Sequence, residues 1–474
     1  MRTQKILVAT DVDRTILTQA EKKEKYDFNR GIGHELIRLV ENGFYVAFIT
    51  SNSMEQVTKR LLRFLVEELC HTDQLSLIGN FHFFCNAGGI YFHFDEQHAK
   101  IKNLIEQNEQ HEPQSFIREV MDTLTYSFAK DGSLQVLPEF IDIGYLKKTS
   151  IPKEDVKIIK QILDEHAAVY FSEINENRAE LNNIYDLTKM TTDKKADGPF
   201  IQPSVEERPI YYMDNGNPRT DTVQLTLKPI LSYRSGRDDN EKNNLFGNDC
   251  RISLVKKIQN EFDKKGLVKY VARPGGNTSI DVSLAKLDKA YALEFIIDRL
   301  NLQGQERLGQ LFGSNTVYFG DEVTVGGDND YPVTRIPGLL TFAVNHDTTT
   351  VPQRSDVLVP SIITHEVKAT ESVMRNLNNA AEELNNNINN NNSALDVFKE
   401  KLFKNRIKQK LDTINNLQAH NWQTLHALVS LMCREDEASK RWLEILVDEL
   451  DSIMIHLGDR ARQPAYGASH PPDA

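Results

Sequence analysis

A short apolar run that stops on two acids constrains this chain more than any other feature. Ile6-Leu7-Val8-Ala9 leads into Thr10-Asp11-Val12-Asp13-Arg14-Thr15. The run is too short for a helix, carries β-branched residues and ends at a polar cluster, so it reads as a buried strand. In an open α/β sheet, ligands bind just beyond the carboxyl ends of the strands. Two carboxylates one residue apart at that edge suit a metal-assisted site with a carboxylate nucleophile. The same residues also favour an ordinary turn. Partners elsewhere in the chain must decide between the two.

The next stretch repeats the same grammar. A helix is expected over 32–41, with Ile32, Leu36, Leu39 and Val40 on one side and Asn42-Gly43 as its stop. Residues 44–49 form a second apolar run, ending in Thr50-Ser51-Asn52-Ser53. Ser53 suits the cap of a helix over 54–69, whose apolar positions are Val57, Leu61, Phe64 and Leu65. A third run, 81–85, enters Asn86-Ala87-Gly88-Gly89. This β-α-β-α-β order implies a parallel sheet covered by helices, with right-handed crossovers. His82 and His93 alternate with apolar residues and read as sheet positions.

The pattern changes over 94–277. In 222–231, Val223, Leu225 and Leu227 alternate with Gln224, Thr226 and Lys228, so one face is apolar and the other polar. A helix over 252–264 follows, closed by Gly266, while 175–208 shows no pattern. The insertion therefore reads as a sheet backed by helices on one side. The α/β pattern then resumes with a short strand at 279–282 and a helix led by Lys286, Asp288 and Lys289. A buried run at 316–319 enters Gly320-Asp321-Glu322, and a last strand at 340–344 ends at Asn345-His346-Asp347. Past about 366 the character shifts again, and 376–392 is asparagine-rich, which reads as a linker or a polar helical connection.

The expected architecture is α/β. A Rossmann-like parallel-sheet core (1–93 and 278–365) is interrupted by an inserted α+β cap domain (94–277). An Asn-rich linker (366–394), a C-terminal helical extension (395–460) and a disordered tail (461–474) follow. A formal net charge of −12 argues against broad phosphate-backbone binding, so no nucleic-acid partner is expected. No apolar run approaches the roughly 18–20 residues a membrane span needs. The four cysteines are scattered and read as reduced thiols, and no cleaved leader is expected, because the first strand carries the acids. A cytoplasmic location follows, with the C-terminal helices open to a protein partner or to self-association.

Four strand-end or helix-start groups now carry related chemistry: Asp11/Asp13, Thr50/Ser51, Lys286/Lys289 and Asp321/Asn329/Asp330. In this order they resemble the haloacid dehalogenase superfamily of phosphotransferases. Gly275-Gly276-Asn277-Thr278-Ser279-Ile280-Asp281-Val282, then Asp288-Lys289 and Tyr291, is similar to the pattern of members with a large α+β cap, the phosphomannomutases and sucrose-phosphate phosphatases. Gly326-Gly327-Asp328-Asn329-Asp330 points the same way. The resemblance implies Asp11 as nucleophile, Asp13 as general acid and base, Thr50 as a phosphoryl-oxygen donor and Lys289 as the neutralising cation, with Lys286 its competitor. It implies Mg2+ held by Asp11, Asp13, Asp321 and Asp330, with Asp328 an alternative. Ser51, Asn52, Asn329 and the cap residues Lys228 and Arg234 are the expected substrate contacts, Arg237 competing with the last two.

Two departures stand out. Arg14 occupies a position where the family usually carries glycine, and Thr50-Ser51-Asn52 replaces a common Thr-Gly-Arg. The leading expectation is a Mg2+-dependent phosphatase acting on a phosphorylated sugar or similar small metabolite. A phosphohexomutase is the first alternative, because the cap resembles that of the mutases, although its phosphate clamp matches weakly. A non-catalytic scaffold on the same fold is the second.

Overall fold

The structure is a computed structural model. It describes residues 5–18, 27–28, 30–107, 113–128, 133–176, 204–214, 217–228, 248–275, 279–302, 313, 315–323, 330–344, 357–358, 366–386, 395, 397–399 and 401. Two compact units divide the chain. The smaller holds Met1–Gln4, Gln353–Leu358 and Asn376–Ala474; the larger holds Lys5–Pro352 and Val359–Arg375.

The core of the larger unit begins with β1 (Leu7–Thr10), α1 (Arg30–Glu41) and β2 (Tyr45–Ile49). Next come α2 (Met54–Val57), a π turn over Thr58–Leu62, and α3 (Arg63–His71). Then β3 (Phe81–Cys85) and β4 (Ile90–His93) follow. Parallel pairing joins β2 to β1 and β3 to β2, while β4 returns antiparallel on β3. The expected parallel sheet thus gains an antiparallel edge strand, which puts His82 opposite His93. The 54–69 pattern predicts one helix, and the π turn over Thr58–Leu62 interrupts it.

The insertion holds two kinds of structure. Helices α4 (Ala99–Gln107) and α5 (Pro113–Leu124) come first, followed by the hairpin β5 (Thr125–Phe128) and β6 (Ser133–Val136). Helix α5 lies against α3, and β6 lies against α2. After α6 (Ile143–Thr149) and α7 (Lys153–Glu176) come the strands β7 (Ser204–Asp214) and β8 (Asn217–Lys228), then α8 (Asn248–Lys264), β9 (Tyr270–Gly275) and β10 (Ser279–Leu284). These strands form an antiparallel sheet in the order β9-β10-β8-β7. One face carries Leu225, Leu227, Ile280 and Val282 into a buried cluster with Ile159, Ile162, Leu254, Ile258 and Phe262 of α7 and α8. Gly266, at φ +71, closes the turn after α8. The strand expected over 222–231 is present through Lys228, with 229–231 outside the described residues, but its polar positions Gln224 and Thr226 are buried like the apolar ones, and the unpatterned 204–208 is strand.

The chain then re-enters the core through α9 (Lys289–Arg299), β11 (Thr316–Gly320) and β12 (Leu340–Ala343). Parallel pairing joins β11 to β1 and β12 to β11, so β1 sits between β11 and β2. Helix α9 packs Leu293, Ile296 and Ile297 against Leu7, Ala9, Ile49, Phe84 and Tyr318. At roughly 25 cal/mol per Å2 of apolar area, each such side chain contributes about 1.5–3 kcal/mol when fully buried.

A last helix, α10 (Glu366–Asn386), opens the asparagine-rich stretch expected as a linker or polar connection. Its portion in the larger unit buries Val367, Ala369, Thr370 and Met374, and Arg375 Nε reaches Glu35 Oε1 at 3.2 Å. Its portion in the smaller unit buries Leu377, Asn378, Ala380 and Ala381. The expectations for 402–474 lie outside the described residues.

Candidate active site

Matched strand lengths bring the polar groups to one edge of the core sheet. In register, Thr10 faces Phe319 on one side and Phe48 on the other. Backbone bonds carry the ladder one residue further. Asp11 N–H donates to Phe319 O at 2.8 Å, and Thr50 N–H donates to Phe84 O at 3.0 Å. Asp11, Thr50 and Asp321 therefore follow their strands at the same end of the sheet.

Lys289 organises the charges. It is the first residue of α9, whose cap Asp288 accepts from Tyr291 N–H at 2.9 Å. Its Nζ lies 2.8 Å from Asp11 Oδ1 and 2.7 Å from Asp330 Oδ1, and the side chain is 1% exposed. Lys286, its competitor, is exposed and lies over the Tyr291 ring. Burial works against the charge on Lys289, but Asp11 and Asp330 outweigh it and hold the ammonium above its ordinary range.

Asp11, Asp321 and Asp330 are all buried, and each offers an oxygen within 4.8 Å of the others. Burial raises the Asp11 carboxyl to about 7; Lys289 opposes this while Asp330 and Asp13 add to it. Burial, then Asp11 and Asp330, raise Asp321 to about 9. Such a cluster of hard oxygens at high cost in mutual repulsion fits a divalent cation of the Mg2+ kind. The hydrogen bonds set Asp330 apart. Its Oδ1 accepts from Lys289 and from Tyr318 OH at 2.5 Å, and its Oδ2 accepts from Glu322 N–H at 2.9 Å. Burial keeps Tyr318 protonated and able to donate. Gly320 makes this approach feasible, since a Cβ there would come within 2.6 Å of Asp330 Cγ.

The carboxyl shifts fix a pH dependence. In the metal-free protein, folded Asp11 and Asp321 keep protons that the unfolded chain has already released above its ordinary carboxyl value of 3.8. Stability falls with pH wherever the folded state binds more protons. These two groups therefore take stability away as pH rises from about 4 through 7 to 9. Mg2+ should reverse the loss. In thermal melts with EDTA or Mg2+, the gain in Tm should be larger at pH 9 than at pH 5. Saturation at about 100 times the dissociation constant is worth about 2.7 kcal/mol. A Tm indifferent to Mg2+ throughout this range would remove the cation site.

Asp13 and the Thr50–Asn52 loop complete the edge. Asn52 Nδ2 donates to Asp13 Oδ2 at 2.9 Å, and Asn52 N–H donates to Thr50 Oγ1 at 3.1 Å. The Thr50 hydroxyl thus accepts from the backbone and keeps its own proton to give. Arg14 sits at φ +58, in the left-handed region, and its N–H donates to Leu17 O at 3.0 Å. The turn keeps the backbone that glycine would adopt freely, at a strain of about 1 kcal/mol or more.

Arg208 is a site contact that the sequence pattern does not mark. This cap residue on β7 donates from Nη1 to Ser51 O at 3.4 Å, linking the cap to the core loop. It lies in the stretch without periodicity, so no signal marked it. Lys228 ends β8, and its side chain lies outside the described residues, as do Arg234, Arg237, Asp328 and Asn329.

The chain matches no protein-family model and no curated protein. Among solved structures it is similar to an N-terminally truncated IMP-nucleotidase of Plasmodium falciparum, at 14% identity and a TM-score of 0.40, over 71% of this chain and 65% of that one. This chain therefore spans just under two thirds of that nucleotidase. A C-terminally truncated form of it gives 16% identity and a TM-score of 0.40, over 78% of this chain and 71% of that one. The trehalose-6-phosphate phosphatase of Aspergillus fumigatus gives 10% identity and a TM-score of 0.35, over 80% and 94%. What each of those proteins acts on belongs to it; the identities are too low to carry a substrate across.

Proposed function

We propose that this chain is a haloacid dehalogenase-like phosphoric monoester hydrolase, dependent on Mg2+ and acting on a phosphorylated sugar or similar small metabolite. One observation carries the reading: Lys289 bridges Asp11 and Asp330 at the strand ends, beside Asp321. A surface acid cluster has no need of a fully buried lysine.

Asp11, Asp321 and the backbone carbonyl of Asp13 would hold Mg2+, whose charge would offset the repulsion between these carboxylates and a phosphate dianion. Asp330 would serve by position, because both its oxygens already accept from protein donors. In the first step an Asp11 oxygen attacks phosphorus and the bond to the leaving oxygen breaks, giving an aspartyl-phosphate. Protonated Asp13 gives its proton to that leaving oxygen. In the second step Asp13 takes a proton from water as the water oxygen attacks phosphorus. The bond to Asp11 breaks, inorganic phosphate leaves, and both aspartates return to their starting forms. Lys289 neutralises charge on Asp11 and the transferring group, and Thr50 donates to a phosphoryl oxygen.

The residues 94–277 would act as a cap over this edge, with Arg208 tying it to Ser51. A reducing, cytoplasmic setting suits the free buried thiols of Cys70 and Cys85. Among the described residues no helix is long and apolar enough to cross a membrane.

The test is phosphate release from a panel of sugar phosphates and other small phosphomonoesters, with Mg2+ and with EDTA. Release is expected with Mg2+ alone. Interconversion of hexose 1- and 6-phosphates without release would favour the mutase reading. No turnover of any phosphate, together with no Mg2+ binding, would favour a scaffold.

A further inference from the structure

The turn after β3 holds a buried side chain that the proposed chemistry does not use. Asn86 is 2% exposed, yet neither its Nδ2 nor its Oδ1 has a hydrogen-bond partner among the described residues. Leaving one buried polar group unpaired costs about 1–3 kcal/mol, and here both ends of one amide are unpaired. Asn86, Ala87 and Gly88 all have positive φ, at 52°, 53° and 88°. Three consecutive left-handed residues are retained when the surroundings over-determine them, commonly at a site of function.

The surroundings of the turn place it in the site. Asn86 N–H donates to Asn52 O at 2.8 Å, and Ala87 N–H donates to Thr50 O at 2.9 Å. The turn is therefore bonded to the loop that holds Thr50 and that bonds Asp13 through Asn52. Its far side meets the start of α9, since a Cβ on Gly88 would come within 3.2 Å of Asp288 O. The cap closes the remaining side. A Cβ on Gly89 would lie 3.1 Å from Val223 Cβ.

Gln224 follows Val223 on β8 and is 1% exposed. Its Nε2 donates to Thr226 Oγ1 at 3.3 Å, and Thr226 in turn donates to Asp281 at 2.8 Å. Among the described residues that leaves Gln224 Oε1 buried without a partner, as are Asp13 Oδ1 and Thr15 Oγ1. The Asn86 amide thus stands without a partner among the described residues on a turn bonded to Asn52, which in turn holds Asp13, the residue that would protonate the leaving oxygen.

We propose that Asn86 is a specificity-determining residue that binds the leaving group of the substrate. The inference rests on the phosphatase reading and narrows its substrate. An amide offers a donor and an acceptor side by side. A polyhydroxylated alcohol answers both, because each hydroxyl donates and accepts. An aryl leaving group without hydroxyls answers neither and leaves the amide buried and unpaired. A site built to bond a substrate hydroxyl rejects the analogue that lacks it.

The test compares glucose 6-phosphate and glycerol 1-phosphate with phenyl phosphate, using the full chain with Mg2+. Asn86→Gly removes the amide and keeps the left-handed turn. It should lower kcat/KM for the polyol phosphates about tenfold or more, and leave phenyl phosphate within about threefold. Equal loss on both classes would mean that Asn86 only supports the turn and would overturn the inference, as would no loss on either. If Asn86→Gly melts below the assay temperature, the wild-type protein decides alone. Phenoxide is the better leaving group, so a wild-type preference for the polyol phosphates supports the inference and a preference for phenyl phosphate overturns it. Release from neither class by the wild type would overturn the assignment of Asn86, while the phosphatase reading itself falls only if no member of the wider phosphomonoester panel is hydrolysed.

Discussion

Asp11→Asn should lose phosphate release by a factor of about 10^4 or more, because removing a nucleophile abolishes a two-step pathway rather than weakening one contact. The amide has the shape of the carboxylate and still offers Lys289 an oxygen to bond, so the fold should survive. A second effect should appear in the opposite direction. Asp11 is one of three buried acids and contributes to the raised carboxyl of Asp321. Removing its charge should make the metal-free protein at pH 8 melt higher than wild type. Phosphate release and thermal melts in EDTA measure the two. Retained turnover removes Asp11 as nucleophile, and a lower melting point without metal contradicts the repulsion among the acids.

Lys289→Met should carry the largest cost in stability. Methionine nearly matches the lysine stem, so little packing is lost. What remains is Asp11 and Asp330 buried without the cation that lay 2.8 and 2.7 Å from them. Breaking a buried pair in this way costs about 3–5 kcal/mol. The folded-state value of Lys289 lies above its ordinary 10.5, so its own contribution is fully present below that pH and fades only above it. Between about pH 5 and about pH 9 Lys289 itself therefore adds no pH dependence. Asp11, whose carboxyl is raised to about 7, takes up a proton at pH 5, so the loss in urea melts should be smaller there than at pH 8. Turnover should also fall, by about 10^2–10^3. A loss below about 1 kcal/mol at both pH values would mean that the lysine is not needed to hold the carboxylates.

Much of the core was legible because its strands are short apolar runs with polar ends. Residues 81–85 and 316–319 match β3 and β11 to within a residue. Three features were not. The π turn at Thr58–Leu62 shifts the hydrogen bonds by one residue and leaves the apolar spacing almost unchanged. Strand β7 carries Glu206, Glu207, Arg208 and Pro209, which is a poor strand by propensity. It forms at the edge of the cap sheet because β8 offers it a partner, and an edge tolerates the proline. In α10 the asparagines oppose helix by propensity, but Leu377, Ala380 and Ala381 bury at helical spacing and tertiary packing prevails.

The site divides in the same way. Asp11, Asp13, Thr50 and Asp321 follow apolar runs, and in a parallel sheet that alone sends them to one edge, whatever packs around it. The sequence by itself thus determined the chemistry of the first strand end: two acids beside other strand-end donors and acids. Only the tertiary structure separated Lys289 from Lys286, gave Asp330 its three donors, and left Asn86 buried with its amide unpaired among the described residues. The physical reason is that these distinctions are distances and depths. Strand order follows from local pattern, but whether a side chain meets solvent, a cation or nothing at all depends on how helices and cap close over that edge.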